Sequence, residues 1–228
     1  MSPIIISVEG NIGSGKSTLV THLQGKFQEC QIPVSFVPEP VEVWSTIKDE
    51  RGESILEKFY ADQPSYSFSF QMMAYISRVS ALRNAIKQNP NGIVITERSV
   101  QTDRNVFAKM LYDQGQIRSV DYQIYLKWFD EFSVDLPISG LIYVAASPTT
   151  CQYRVTERNR QGETIPLDYL ERCGQYHQEW IDTVPSHRIC ELDGDLNIKT
   201  DPSVLDGWFQ QITQFIQPDD LSIGQQSH

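Results

Sequence analysis

Four groups of residues have the types and spacing to do chemistry. Gly10-Asn11-Ile12-Gly13-Ser14-Gly15-Lys16-Ser17, followed by Thr18, fits G-x-x-x-x-G-K-[ST]. Its glycines let backbone N–H groups turn inward around an anion, and the positive end of a following helix adds to that field. Lys16 can reach β- and γ-phosphates, and the Ser17 hydroxyl can sit on Mg²⁺. Glu39 stands between Pro38 and Pro40, and Glu97-Arg98 is a charged pair after an apolar run. Arg154, Arg158 and Arg160 concentrate positive charge in an otherwise acidic chain. The guanidinium fork bonds phosphate bidentately, so these three are either a solvated helix face paired with Glu157 and Glu163 or a lid over phosphates. With a phosphate loop upstream the lid is the stronger reading, because a moving phosphoryl group needs cationic donors. The loop by itself says that a nucleotide is bound, not what is done with it.

The elements that must hold these groups follow from periodicity. Ile4, Ile5, Ile6 and Val8 read as a strand buried on both faces, running straight into the glycine loop. A helix follows over about 16–30, then a strand over 34–37 that ends at Pro38-Glu39-Pro40. That puts Glu39 at the C-terminal end of a strand, the edge where ligands bind in open α/β sheets. On position alone it is equally a solvated loop residue. Helices are expected over 53–61 and about 66–88, the second with Gln71, Arg78 and Arg83 on an otherwise apolar surface. Gln71 and Arg78 are two turns apart on one side, either a solvated stripe or the lining of a polar pocket. Strand 93–96 ends in Glu97-Arg98-Ser99; helices are expected at about 102–114 and 119–132, a strand at 141–145, and a helix at 149–159. The rest reads as helix 167–183, strand 188–192, the turn Asp193-Gly194-Asp195-Leu196 near the expected nucleotide base, and helix 203–217. Five strands alternating with helices predict an α/β, doubly wound parallel sheet in a single domain over 1–217, with a lid at about 154–165 and a frayed tail at 218–228.

Composition narrows the class. A chain of 228 residues, 40% hydrophobic and 21% charged, is enough for one full α/β core. The formal charge of −10, from 19 basic and 29 acidic residues, argues against a nucleic-acid binder, which would present a basic face. Cys30, Cys151, Cys173 and Cys190 form no C-x-x-C pair and read as reduced thiols in a reducing compartment. The four histidines lack metal spacing; His22 and His177 read as packed or surface residues. No apolar run approaches a membrane span. The first strand starts at residue 4, so no targeting peptide and a cytoplasmic location are expected, with a trimmed organellar precursor as the other reading.

Taken in order, the motifs resemble the deoxyribonucleoside kinase family, closest to its deoxycytidine and deoxyguanosine kinase branch. They are Glu9 to Thr18; Pro38-Glu39-Pro40-Val41 with Trp44; Tyr60, then Ser67-Phe68-Ser69-Phe70-Gln71; Glu97-Arg98-Ser99-Val100 with Asp103-Arg104; Arg154, Arg158 and Arg160; and Ile165-Pro166-Leu167-Asp168-Tyr169-Leu170. The resemblance implies a P-loop kinase that moves the ATP γ-phosphate to the 5′-hydroxyl of a deoxynucleoside. It implies that Glu39 takes the hydroxyl proton, that Arg98 holds Glu39, and that Ser17 and Glu97 serve Mg²⁺. Lys16 and the lid arginines would neutralise the moving phosphoryl. Tyr60 and Glu163 would hold the 3′-hydroxyl, Gln71 would read the base edge, and Phe107, Trp44 and Phe70 would border the base. Ala74, Arg78 and Asp103 match the trio of the deoxycytidine and deoxypurine kinases, which disfavours thymidine. Asp195 would lie at the ATP base. Family members pair through the long helix and the aromatic helix near Tyr122–Phe129, so a homodimer is expected.

Three rivals stand beside this reading. A thymidine or broad-specificity kinase would share every catalytic part. A nucleoside monophosphate kinase shares loop and lid, but Glu39 beside a dianionic acceptor is electrostatically poor. A regulatory GTPase would need a guanine-reading Asn-Lys-x-Asp, which is absent.

Overall fold

The computed structural model describes residues 3–160, 163 and 165–216; the expected tail at 218–228 and lid residues 161, 162 and 164 lie outside these. Five strands form one parallel sheet: β1 (Ile4–Glu9), β2 (Val34–Val37), β3 (Ile93–Glu97), β4 (Gly140–Ala145) and β5 (Ile189–Asp193). Their order is β2-β3-β1-β4-β5, so the expected sheet is present. Register pairs Ile5 with Val94 and Ser7 with Leu141, bringing the C-terminal ends of β1, β3 and β4 to one edge.

Side chains alternate along β1, and the two faces are buried by different helices. Ile6 and Val8 pack with Leu19, Leu23 and Phe27 of α1 (Lys16–Glu29) and with Trp208 and Ile212 of α10 (Ser203–Phe215). Ile5 and Val94 pack on Tyr75, Val79 and Leu82 of α4 (Gln63–Gln88) and on Tyr125 and Phe129 of α7 (Ser119–Phe132). Burial on both sides is why β1 reads as a continuous apolar run. α2 (Val41–Thr46) was not expected as a separate helix; Pro40 opens it and Trp44 anchors it in the core.

Local chemistry sets the helix starts. Ser54 and Glu57 form a reciprocal capping box on α3 (Ile55–Ala61). Asp62 caps α4 through Ser65 N, and Pro64 is tolerated in the first turn, so this helix begins three residues before the expected position 66. The helix expected over 102–114 differs more. It is α5 (Val100–Thr102), a π-helical stretch (Asp103–Ala108) and α6 (Lys109–Asp113). Ser99 and Thr102 cap its start reciprocally. The remaining helices are α8 (Pro148–Arg158), ended by Asn159 at φ +46°, and α9 (Leu167–Ile181). Among the described residues no helix is long and apolar enough to cross a membrane.

Candidate active site

A cavity of about 1140 Å³ opens at the carboxyl edge of the sheet. Every strand delivers something to it: the glycine loop after β1, Glu39 after β2, Glu97 and Arg98 at the end of β3, α8 after β4 and Asp195 after β5.

The glycine loop has the shape that its sequence requires. Gly10 has φ +141° and Gly13 φ +83°; a Cβ at either would lie 2.5 Å from a backbone oxygen, of Val144 and Cys151 respectively. Asn11 Nδ2 donates to Leu170 O at 2.8 Å, and Ile12 N donates to Asn11 Oδ1 at 2.8 Å, tying the loop to α9. Lys16 is buried, its Nζ donating to Asn11 O at 2.6 Å. Burial and then the Arg98 charge pull its ammonium down to about 7. An anion arriving in the loop reverses that deficit. The Ser17 hydroxyl donates to Glu97 Oε1 at 2.6 Å, and Thr18 lines the same cavity.

Around Glu39 the charges interlock. Glu39 Oε1 is 3.2 Å from Arg98 Nε and 3.2 Å from an Arg78 terminal nitrogen. Burial works against its ionisation, yet Arg98, Arg78 and Lys16 prevail and hold the carboxyl below its ordinary range. Both arginines are almost fully buried, whereas the Glu39 side chain keeps 22% exposure, on the cavity. Arg98 also donates to Gly10 O at 2.9 Å and lies over the Phe107 ring, 4.9 Å from its centroid.

One face of α4 carries Phe70, Gln71, Ala74 and Arg78, all lining the cavity and all buried. Arg83, the third polar residue of the sequence stripe, is exposed and pairs with Asp135, so that stripe divides into a pocket wall and a solvated end. Arg78 forks onto Asp103 at 3.0 and 3.4 Å and onto Glu97 O at 2.9 Å. Burial pushes the Asp103 carboxyl up to about 6 against the pull of Arg78, while Arg78 is held above its ordinary value. Gln71 Oε1 is buried with no hydrogen-bond partner, which costs about 1–3 kcal/mol until a ligand donor meets it. Trp44 stands edge-on to Phe70 at 5.3 Å, fixed by its Nε1 donating to Ser77 Oγ at 2.9 Å. The π-helical stretch carries both Asp103 and Phe107 into the cavity.

At the lid, Arg158 meets Glu163 at 2.5 Å and Arg160 lies 3.8 Å from the same carboxylate. Tyr60 and Glu163 line the same cavity, and burial, then the Glu163 charge, raises the Tyr60 hydroxyl above its ordinary value. Arg154 is placed differently: it donates to Ser14 O, Gly194 O and Leu196 O at 3.1, 2.7 and 3.0 Å, joining the glycine loop to the turn after β5. Asp195 lines the cavity, but its carboxylate accepts from Ser147 N and Oγ, both at 2.9 Å, at the start of α8.

Two residues of this region had no role in the sequence reading. Glu9 is fully buried and accepts from Ser7 Oγ (2.5 Å), Ser99 Oγ (2.7 Å) and Thr102 Oγ1. It pins β1 to the segment just beyond Arg98; a carboxylate ending an apolar strand was its signal. His177 is fully buried beside Arg98, and nothing in its local sequence pointed there. No group of three or more His, Cys, Asp or Glu side chains suited to a metal occurs among the described residues. Ser17 and Glu97 still fit Mg²⁺, which keeps several waters and takes one or two carboxylates plus substrate phosphates.

A parallel sheet with a phosphate loop, a facing carboxylate and cationic side chains above them defines a phosphotransferase of the P-loop class. The chain belongs to the deoxynucleoside kinase family, whose family model matches residues 6–217. It is an enzyme that phosphorylates an alcohol acceptor on a deoxynucleoside, from a nucleotide phosphate donor. Similar proteins include a fowlpox virus protein named "Probable deoxycytidine kinase FPV151", 34% identical over 92% of this chain and 87% of the relative. Human deoxycytidine kinase is 34% identical over 77% of this chain and 74% of its own length. The mitochondrial deoxyguanosine kinase of Xenopus laevis is 32% identical over 77% and 72%.

Proposed function

We propose that Glu39 is the group that receives the 5′-hydroxyl proton and aims the oxygen at the γ-phosphate of ATP. The observation that carries this is a carboxylate held ionised between Arg98 and Arg78, open to the cavity at the end of β2. Its low pKa makes it a modest base. That suffices, since a loose phosphoryl-transfer transition state asks mainly for positioning and charge neutralisation. Arg98 fixes Glu39 against the glycine loop. Gly10 to Thr18 cradles the phosphates, with Lys16, Arg158 and Arg160 neutralising the transferring group and Arg154 bracing the loop beneath it. Ser17 and Glu97 would hold Mg²⁺, which would supply charge neutralisation on the donor's phosphates. Asp195 lies on the ATP base side.

For the acceptor, Tyr60 and Glu163 take the 3′-hydroxyl. Gln71 reads the base edge, and Trp44, Phe70, Ala74 and Phe107 shape its slot. Asp103, paired with Arg78, accepts from an exocyclic amino group; the carbonyl of thymine there would set acceptor against acceptor. That mismatch costs about 1–3 kcal/mol, or about 5- to 150-fold in kcat/KM. Deoxycytidine or a deoxypurine therefore outranks thymidine, in keeping with the names of the relatives. ATP-dependent phosphorylation of the four deoxynucleosides tests this. Thymidine as best substrate overturns the base assignment; turnover of monophosphates alone overturns the acceptor assignment.

The whole is one kinase domain, with the lid at 154–165, acting as a homodimer. Val120, Ile124, Trp128 and Phe132 recur every fourth residue on α7 and are all exposed, with Ile76 of α4 also exposed; such an apolar stripe fits a second copy. Four free thiols suit a reducing compartment such as the cytoplasm.

A further inference from the structure

His177 lies on α9, fully buried, between Arg98 and its own helix. Its Nδ1 is 2.7 Å from the Cys173 carbonyl oxygen and its Nε2 is 3.4 Å from Arg98 Nη1. A carbonyl only accepts and a guanidinium only donates. Both contacts are satisfied by one arrangement: the proton on Nδ1 and a lone pair on Nε2. Burial and then the Arg98 charge push the ring's pKa down to about 3, so it stays neutral. The imidazole also stands edge-on to Phe107, at 6.0 Å and 87°, and that is the ring Arg98 lies over.

Arg98 needs such help. Its backbone has φ +61°, a conformation that non-glycine residues rarely adopt, and its side chain is held by Gly10 O, Glu39 and His177. Its Nη1 is shared between Gly10 O at 2.9 Å and His177, which leaves Nε to face Glu39 at 3.2 Å. An apolar residue of the same size would fill the space but free half of that grip.

We propose that His177 is a positioning residue: as the neutral Nδ1–H tautomer it holds the Arg98 guanidinium against the glycine loop, and so sets the direction from which Arg98 meets Glu39. The inference rests on the role given above to Arg98 and Glu39.

The test compares His177→Phe, His177→Gln, Arg98→Ala and the double variant His177→Phe/Arg98→Ala. The readouts are kcat, the KM of each substrate, and Tm. His177→Phe should lower kcat about 10- to 100-fold, as misplaced catalytic groups do, with the KM of ATP held within about twofold. His177→Gln, whose amide oxygen can reach the place of Nε2, should recover most of that loss. On the Arg98→Ala background, His177→Phe should change kcat by less than about twofold, because two residues acting as a unit are not additive. Wild-type kcat in His177→Phe, or an equal loss with and without Arg98, overturns the proposal. If Arg98→Ala itself turns over normally, the role of Arg98 falls first. A ¹⁵N spectrum of the intact enzyme stands apart from variant folding: Nε2 should be unprotonated, and a protonated Nε2 overturns the tautomer.

Discussion

Replacing Glu39 by glutamine separates its chemical role from its structural one. The amide keeps the shape and one acceptor oxygen but loses the charge. Arg78 retains Asp103 and the Glu97 carbonyl, and Arg98 retains Gly10 O and His177, so neither guanidinium is left without partners. The lost ion pairs involve a partly exposed carboxylate, so the stability cost is discounted to about 1 kcal/mol, or a Tm shift of about 2–4 °C in a domain of this size. Catalysis should respond on a different scale. Removing a positioned general base lowers kcat by about 10²–10⁴-fold, which is about 3–5 kcal/mol of barrier. Lys16, Arg78 and Arg98 meanwhile face one anion fewer, so the KM of ATP should stay level or fall. The assay is steady-state phosphorylation of the preferred deoxynucleoside across ATP concentrations, beside a thermal melt. A kcat within tenfold of wild type, or a rate loss explained by a higher ATP KM, would refute the reasoning.

Other expectations follow from the same geometry. Asp103 should gain a proton as pH falls through about 6, since its folded pKa is raised; above that pH it accepts, and below it the acid hydroxyl can donate to a carbonyl. The deoxycytidine-to-thymidine ratio of kcat/KM should therefore fall at least about fourfold between pH 7.5 and 5.5, and further as the protonated acid comes to favour thymidine; a flat ratio would remove Asp103 from base selection. Gly13→Ala sets a Cβ 2.5 Å from Cys151 O at φ +83°, a strain of about 1–3 kcal/mol before the clash; ATP binding by calorimetry should be lost and Tm lowered, and normal binding would mean a softer loop. Trp128→Glu, in the exposed stripe of α7, should turn a dimer into a monomer by sedimentation while the folded monomer remains. A wild type that already sediments as a monomer would remove the proposed dimer, and an unchanged dimeric mass would place its interface elsewhere.

The glycine loop, the five strands and the residues at their ends were legible in the sequence, because they depend on neighbours. Two prolines mark Glu39, an apolar run marks β3 before Glu97-Arg98, and the glycine spacing of Gly10–Ser17 marks an anion cradle. The order of motifs, by resemblance, added the roles. What required the tertiary structure are the pairings. The resemblance already matched Arg78 with Asp103, but Arg154 with Ser14, 140 residues apart, and Arg98 with His177, 79 apart, came only from the fold. The π-helical stretch at Asp103–Ala108 was invisible because i→i+5 bonding widens the turn without requiring any particular residue type. Sheet order β2-β3-β1-β4-β5 sets β3 beside β1 and so lays Arg98 against Gly10. Local propensity encodes which segments are strands, while the burial of both sheet faces decides which strands become neighbours. Hence the sequence by itself determined that this protein binds and transfers a phosphate, and the fold decided which charges stand together to direct it.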